Sequence, residues 1–175
     1  MEVLFLDTLT AIKERRSIRK YLDRPIEEDK LVQVLEAARL APSARNAQLW
    51  KFVVVRDKAQ REKLAKATKY QFIAEAPVII AGVALDPERL MQCEVPAYAV
   101  DLAIAMTNIT LAACALGLGT CWIGGFDQQV AREALGIPER YKVVELMPLG
   151  YPAENPEARS RKSLDEIVCY DRFSE

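Results

Sequence analysis

Apolar positions recur at helical spacing in several stretches of this chain and run continuously in others. Leu4, Leu9 and Ile12 fall on roughly one helical face, and the charges around Lys13 close that segment near Arg15. Ser17 to Leu22 is a short extended piece, and Pro25 starts a turn. Glu27 to Leu40 is strongly amphipathic, with Leu31, Leu35 and Ala38 on one face and Lys30, Gln33 and Glu36 off it. Pro42 stops it, and Ser43 to Gln48 is a short polar loop. Trp50 to Arg56 (WKFVVVR) predicts a strand too apolar for a solvent-washed edge. Asp57 is placed to cap a helix through about Ala67, and Tyr70 to Ala76 predicts a short helical turn.

Pro77 to Ala84 (PVIIAGVA) predicts a second buried strand, and Pro87 to Pro96 is irregular. Ala97 to Leu116 is apolar nearly all round and predicts the central helix of the core, ended by Gly117 and Gly119. Thr120 to Gly124 predicts a third strand, Asp127 to Leu135 a helix closed by Gly136, and Lys142 to Leu149 a fourth strand. After a proline-marked loop, Ser163 to Asp171 regains apolar character at Leu164, Ile167, Val168 and Tyr170. It is expected either to pack locally or to cross onto a second subunit. Helices between few strands predict an α+β or three-layer α/β/α sandwich. No repeat or low-complexity segment interrupts residues 1–175, which are expected to form a single domain.

Composition narrows the chemistry. The 175 residues are 51% hydrophobic and 28% charged, with 24 Lys+Arg against 25 Asp+Glu, so global disorder and a generally basic nucleic-acid binder are disfavoured. There is no histidine, which excludes His triads, His zinc sites and His general acid–base schemes. Cys93, Cys114, Cys121 and Cys169 form no CxxC, which predicts free thiols in a reducing cytoplasm. The start MEVLFLDTL is acidic where a signal peptide is basic. The Ala99–Leu118 stretch contains Asp101, Thr107, Asn108 and Thr110, favouring a buried helix over a membrane span.

Four segments carry candidate chemistry. KERRSIRK (13–20) concentrates Lys13, Arg15, Arg16, Arg19 and Lys20 around Ser17, which suits a solvated helix end, a phosphate site or a nucleic-acid patch. PSARNAQLW (42–50) places Ser43, Asn46 and Gln48 between a helix and a strand, either to read a heterocycle edge or as a plain turn. GLGTCWIGGF (117–126) runs helix, glycines, strand, glycines, which is neither a Rossmann fingerprint nor a P-loop. Its Gly124 and Gly125 suit close backbone approach to a ligand, or a simple bulge. ARSRK (158–162) aims Arg159 and Arg161 along one extended edge, or is a solvated tail. The carboxylates form no evident acid–base pair: Glu27 and Glu28 suit a helix start, Asp101 an N-terminal turn near Pro96, and Cys121 a buried structural thiol.

In this order, KERRSIRKYLDRPI, LEAARLAPSARNAQLWKFVVV, LAACALGLGTCWIGGF and LGYPAENPEARSRKSLDEIV resemble the nitroreductase family of FMN-dependent oxidoreductases over nearly the whole chain. The resemblance implies a mixed, mainly antiparallel central sheet in the α/β/α sandwich. It implies an FMN phosphate and ribityl chain held by Arg15, Arg16, Ser17 and Arg19 with Arg159 and Arg161. It implies a flavin-edge loop at Pro42, Ser43, Asn46 and Gln48. A backbone amide of Gly124 or Gly125 is expected near flavin N5, with Ile123 packed on the ring. A homodimer with FMN in the seam and a C-terminal segment reaching over the partner is implied as well. So is ping-pong use of NAD(P)H and an electron-poor acceptor, a nitroaromatic or quinone. No side-chain catalyst is implied, and no metal, nucleic acid or membrane partner. Specialised dehalogenase or dehydrogenase chemistry, and passive FMN holding, remain alternatives. Leu49 stands where the family commonly has Pro, and Ser163 replaces Pro in the late RKP pattern. The Tyr70–Pro96 segment is short, which implies a more open substrate pocket.

Overall fold

A computed structural model describes residues 7–175; the expected role of Leu4 lies outside them. Asp7 accepts from the Leu9 and Thr10 amides and starts α1 (Thr8–Glu14). The chain continues through α2 (Glu28–Arg39), β1 (Trp50–Val55), α3 (Lys58–Ala65), β2 (Val78–Ala84), α4 (Ala97–Ala115), β3 (Gly119–Thr120), α5 (Gln128–Leu135) and β4 (Lys142–Gly150). Asp57 and Asp127 cap α3 and α5 by accepting from Gln60 and Val130 amides. These carboxylates satisfy amides that the first helical turn leaves without partners. At the end of α4, Gly117 takes φ 74°, and the Leu118 amide then reaches back to the Ala113 carbonyl at 2.8 Å.

The four strands are ordered β1-β2-β4-β3 and all ladders are antiparallel. A lone parallel bridge, Ser17 to Thr120, adds the mixed element. Alternation along β2 divides the core. Val78 and Ile80 join Met147 and Leu149 under α2 and α4. Ile79 and Ala81 join Val143 and Leu146 over α3 and α5. The result is the expected α/β/α sandwich, because every strand residue of β2 is buried on one face or the other.

Four local expectations change or narrow. Trp50–Val55 forms an edge strand in this chain, half-buried rather than enclosed. The third strand is only Gly119–Thr120; Ile123 rejoins β4 through an isolated pair with Leu146 after a break at Cys121 and Trp122. On α1 the buried residue is Ala11, while Leu9 and Ile12 are exposed. The late apolar stretch does not pack locally: Leu164, Ile167, Tyr170 and Phe173 are exposed. Helix α4 is long and apolar enough to cross a membrane by length and composition, but it packs on the sheet and on α2.

Gly119 and Gly124 give a paired test of this packing. A Cβ on Gly119 would lie 2.5 Å from Ile18 Cγ1, whereas one on Gly124 meets nothing within 4 Å. Gly119→Ala is expected to lower stability by about 2–3 kcal/mol, because the Ile18 segment must move as backbone. Gly124→Ala should stay within about 0.5 kcal/mol of the parent in the same urea titration.

Candidate functional site

The two basic segments, almost 140 residues apart in sequence, meet in one cavity of about 450 Å³. Its walls are Ile12, Lys13, Arg15, Arg16, Ser17 and Arg19 from the early segment, and Pro156 to Arg159 with Arg161 from the late one. Helix α1 ends at Glu14, so the next residues leave in extended form, and Ser17 can pair with Thr120. That pairing, with Ile18 N–H donating to Thr120 O at 2.9 Å, fixes the early segment against β3. Tyr21 hydroxyl donates to the Ile18 carbonyl, and its pair with Pro152 brings the late chain alongside. Burial pushes the Tyr21 hydroxyl pKa up, so it remains a donor.

The charge balance of this cavity suits a phosphate. Six cations line it against Glu157 alone. None of the six forms an ion pair among the described residues. Arg16 spends one amino group on the Lys13 and Arg15 carbonyls, while its buried Nε has no partner. An orphaned guanidinium N–H in a cationic wall is a site for an anionic acceptor. Arg19 contributes less directly, since its amide binds Glu154 and its guanidinium the Ser17 carbonyl.

A larger cavity of about 780 Å³ lies between the start of α2 and α3. Its arginines are already engaged: Arg24 with Glu27, Arg56 with Glu28, and Arg61 with the Ala74 and Ala76 carbonyls. Of its cations only Lys58 is unengaged among the described residues.

The glycine loop continues from the same β3. Gly124 is four residues beyond Thr120, roughly 13 Å at strand rise. Ile123 is buried and held by both hydrogen bonds to Leu146, and Gly124 and Gly125 are exposed. Neither glycine amide donates to a partner among the described residues. Two residues not singled out from sequence steady this loop. Buried Thr68 donates its hydroxyl to the Gly125 carbonyl at 2.7 Å, and the Tyr70 ring lies 3.3 Å from where a Gly125 Cβ would stand. Neither sits in a motif, so nothing in the local sequence marks them.

The polar loop is placed elsewhere. Pro42, Asn46 and Gln48 are exposed, and Ser43 is half-buried. Ser43 Oγ accepts from the Gln48 amide, and Gln48 donates its side-chain amide to Asn46. Arg45, Asn46 and Gln48 all have positive φ, near 50–57°, so the loop is backbone-strained. Asp101 holds it by accepting from the Ala44 amide at 2.9 Å; it does not cap α4, whose cap Pro96 makes no side-chain bond. This loop enters β1 at one sheet edge and Gly124 leaves at the other, three strand spacings or roughly 14 Å away. One chain therefore joins the phosphate cavity to the glycine loop but does not bring Pro42–Gln48 to either.

The two thiols nearest the site are not activated. Burial raises the pKa of both Cys114 and Cys121, and among the described residues no group of acidic or thiol side chains is spaced to hold a metal. Glu27, expected only as cap-side charge, instead accepts from the Tyr151 hydroxyl and Arg24, and its pKa falls to about 2.

The chain is similar to known proteins over most of its length. A chain of Methanothermobacter thermautotrophicus, provisionally named NADH dehydrogenase/NAD(P)H nitroreductase, is 40% identical over 168 residues, covering 93% of this chain and 86% of its own. The NADPH-flavin oxidoreductase of Vibrio harveyi is 31% identical over 181 residues, covering 97% and 75%. The solved FMN-dependent nitroreductase of Clostridium difficile R20291 superposes with a TM-score of 0.81 at 33% identity, covering 94% of this chain and 99% of that one. The sequence model of the Nitroreductase family matches residues 12–81 and 68–151, and with these relatives it shows that the chain belongs to the Nitroreductase family.

Proposed function

We propose that the chain is an FMN-dependent NAD(P)H oxidoreductase acting on electron-poor acceptors such as nitroaromatics or quinones. The observation that carries this is the convergence of unpaired early and late arginines at the Ser17–Thr120 bridge, at the foot of the strand that leads to Gly124. Arg15, Arg16, Ser17, Arg159 and Arg161 hold the phosphate, with Arg19 at the rim. The free amides of Gly124 and Gly125, over buried Ile123, hold the ring edge. FMN, when bound, would supply the hydride-transfer chemistry between NAD(P)H and the acceptor, which would use the site in turn. The backbone amides orient that edge and present a partial positive charge to it. No described side chain is poised as a general acid, so solvent delivers the closing proton.

The site is completed by a second copy. The Pro42, Ser43, Asn46 and Gln48 loop lies too far from Gly124 within one chain, while β1 is an open edge and the Leu164–Phe173 tail is exposed. A homodimer covers those surfaces, with the tail of one copy on the other and FMN in the seam. Deleting Ser163–Glu175 is expected to shift the sedimenting species from about twice 19.7 kDa to a single subunit, and to weaken FMN binding at least tenfold. An unchanged dimer would remove the tail from the interface.

The reading is tested by titrating the purified protein with FMN and then adding NADH or NADPH without oxygen. Fluorescence quenching at one FMN per chain, followed by bleaching of the flavin bands and their return on adding a nitroaromatic or quinone, is the expected sequence. Binding without bleaching would leave an FMN holder, and no binding would remove the flavin function altogether.

A further inference from the structure

Strand β4 carries a carboxyl where its face calls for an apolar side chain. Glu145 is 2% exposed, and neither of its oxygens has a partner among the described residues. Its place in the sheet is specific. On one side it is opposite Gly82 of β2. On the other, Ile123 pairs with Leu146, so the next register step sets Gly124 opposite Glu145. Residues paired across antiparallel strands share a face. Gly82, Glu145 and Gly124 thus form one row on the α4 side, where Leu102 and Met106 close over Gly82 at 3.3 Å from its would-be Cβ. The carboxyl is flanked by two positions without side chains, and one of them is the exposed glycine proposed to face the flavin.

The surroundings hold this acid neutral. Burial alone pushes its pKa up to about 9, with no charged group assisting or opposing. From β2 the facing residue is Gly82, and from α4 Leu102 and Met106, none of them titratable. On the β3 side the nearest titratable group is the Cys121 thiol, which burial keeps protonated too. Asp101 on α4 is turned to the Ala44 amide, and Lys142 on β4 lies over the Tyr98 ring.

We propose that Glu145 is a positioning residue for the flavin end of the site: protonated, it keeps the row under Gly124 uncharged, and ionised, it selectively weakens the hold on reduced FMN. The proposal rests on the FMN reading above. Hydride uptake makes the ring electron-rich. A carboxylate one strand away in a dry core acts through a low effective dielectric, so it opposes the reduced form more than the oxidised one. By reciprocity, reduced FMN tightens the proton on Glu145. An apolar residue at this position would pack equally well but would leave the preference for reduced flavin insensitive to this proton.

The test measures dissociation constants of oxidised FMN and of dithionite-reduced FMN for the full chain, at pH 7 and pH 10, in the parent, E145Q and E145M. Gln keeps the shape of the neutral acid, and Met removes the polar group. At pH 7 the ratio of the two constants is expected to agree among all three proteins. At pH 10 the parent should lose about tenfold of its preference for reduced FMN relative to both variants. Parallel behaviour of parent and variants across that range overturns the role of Glu145 while leaving FMN binding standing. Failure of the parent to bind FMN in either state overturns both.

Discussion

Replacing Arg159 and Arg161 together by alanine is expected to weaken FMN binding by about 100- to 1000-fold while leaving the unfolding midpoint nearly unmoved. A charge-assisted hydrogen bond to phosphate is worth about 1.5–3 kcal/mol, and two exposed ones at the lower end, roughly 3–4 kcal/mol together, account for that range. The fold should not notice, because both side chains are exposed and neither forms an ion pair among the described residues. Arg161 donates only to the carbonyl of Ser160, its own neighbour. Fluorescence titration of FMN in rising salt gives a second check. The parent's affinity should fall with ionic strength, and the double variant's should fall less, since fewer charges remain to be screened. Affinities within threefold of each other would move the phosphate away from the late segment. Arg15→Ala should also weaken binding, but with some structural cost, since Arg15 is half-buried where the chain leaves α1.

Much of this architecture was legible because local chemistry and tertiary demand agree. Asp57 and Asp127 sit ahead of helical patterns and do cap them, and PVIIAGVA is buried at every position from Val78 to Ala84 because helices cover both faces. The apolar run of β1 was equally plain, yet its position at the sheet edge was not, because hydrophobicity reports burial demand and not which element meets it. The tail poses the same problem: its apolar residues are legible as a demand for burial, yet within one chain they stand exposed.

The site divides along a similar line. Arginine clusters are visible as charge, and the structure brings them to one cavity. The Pro42–Gln48 loop is visible as polarity, but its distance from the other pieces depends on strand order, which no local pattern contains. Thr68 and Tyr70 act on the glycine loop through the turn after α3, a contact made by tertiary approach of residues 57 positions apart. Glu145 is the clearest miss. In KVVELMPLG it alternates with buried Met147 and Leu149, which turns it inward to the face that α4 covers, and nothing local says that this face is closed.

That inward turn makes Glu145→Met a strongly stabilising substitution with a defined pH signature. In the folded chain burial pushes the carboxyl pKa up to about 9, against an ordinary 4.5. Between those values the folded state binds the proton and the unfolded state does not, so stability falls as pH rises, by about 1.4 kcal/mol per unit, and levels off above the folded value. At pH 4.5 the methionine variant removes only the cost of burying an unpaired neutral carboxyl, about 1–3 kcal/mol. By pH 8 it should exceed the parent by about 3–5 kcal/mol more, the ionisation penalty having been added. E145Q separates the two contributions, because it keeps a buried polar group without a titrating proton. Its stability should run parallel to that of the methionine variant at every pH, displaced by the polar cost. Urea denaturation of the apoprotein at pH 4.5, 6, 8 and 9.5 reads this directly, with no flavin involved. A parent whose stability relative to E145Q does not change across that series carries an ionised and solvated Glu145, and the dry row beneath Gly124 would then not exist in solution.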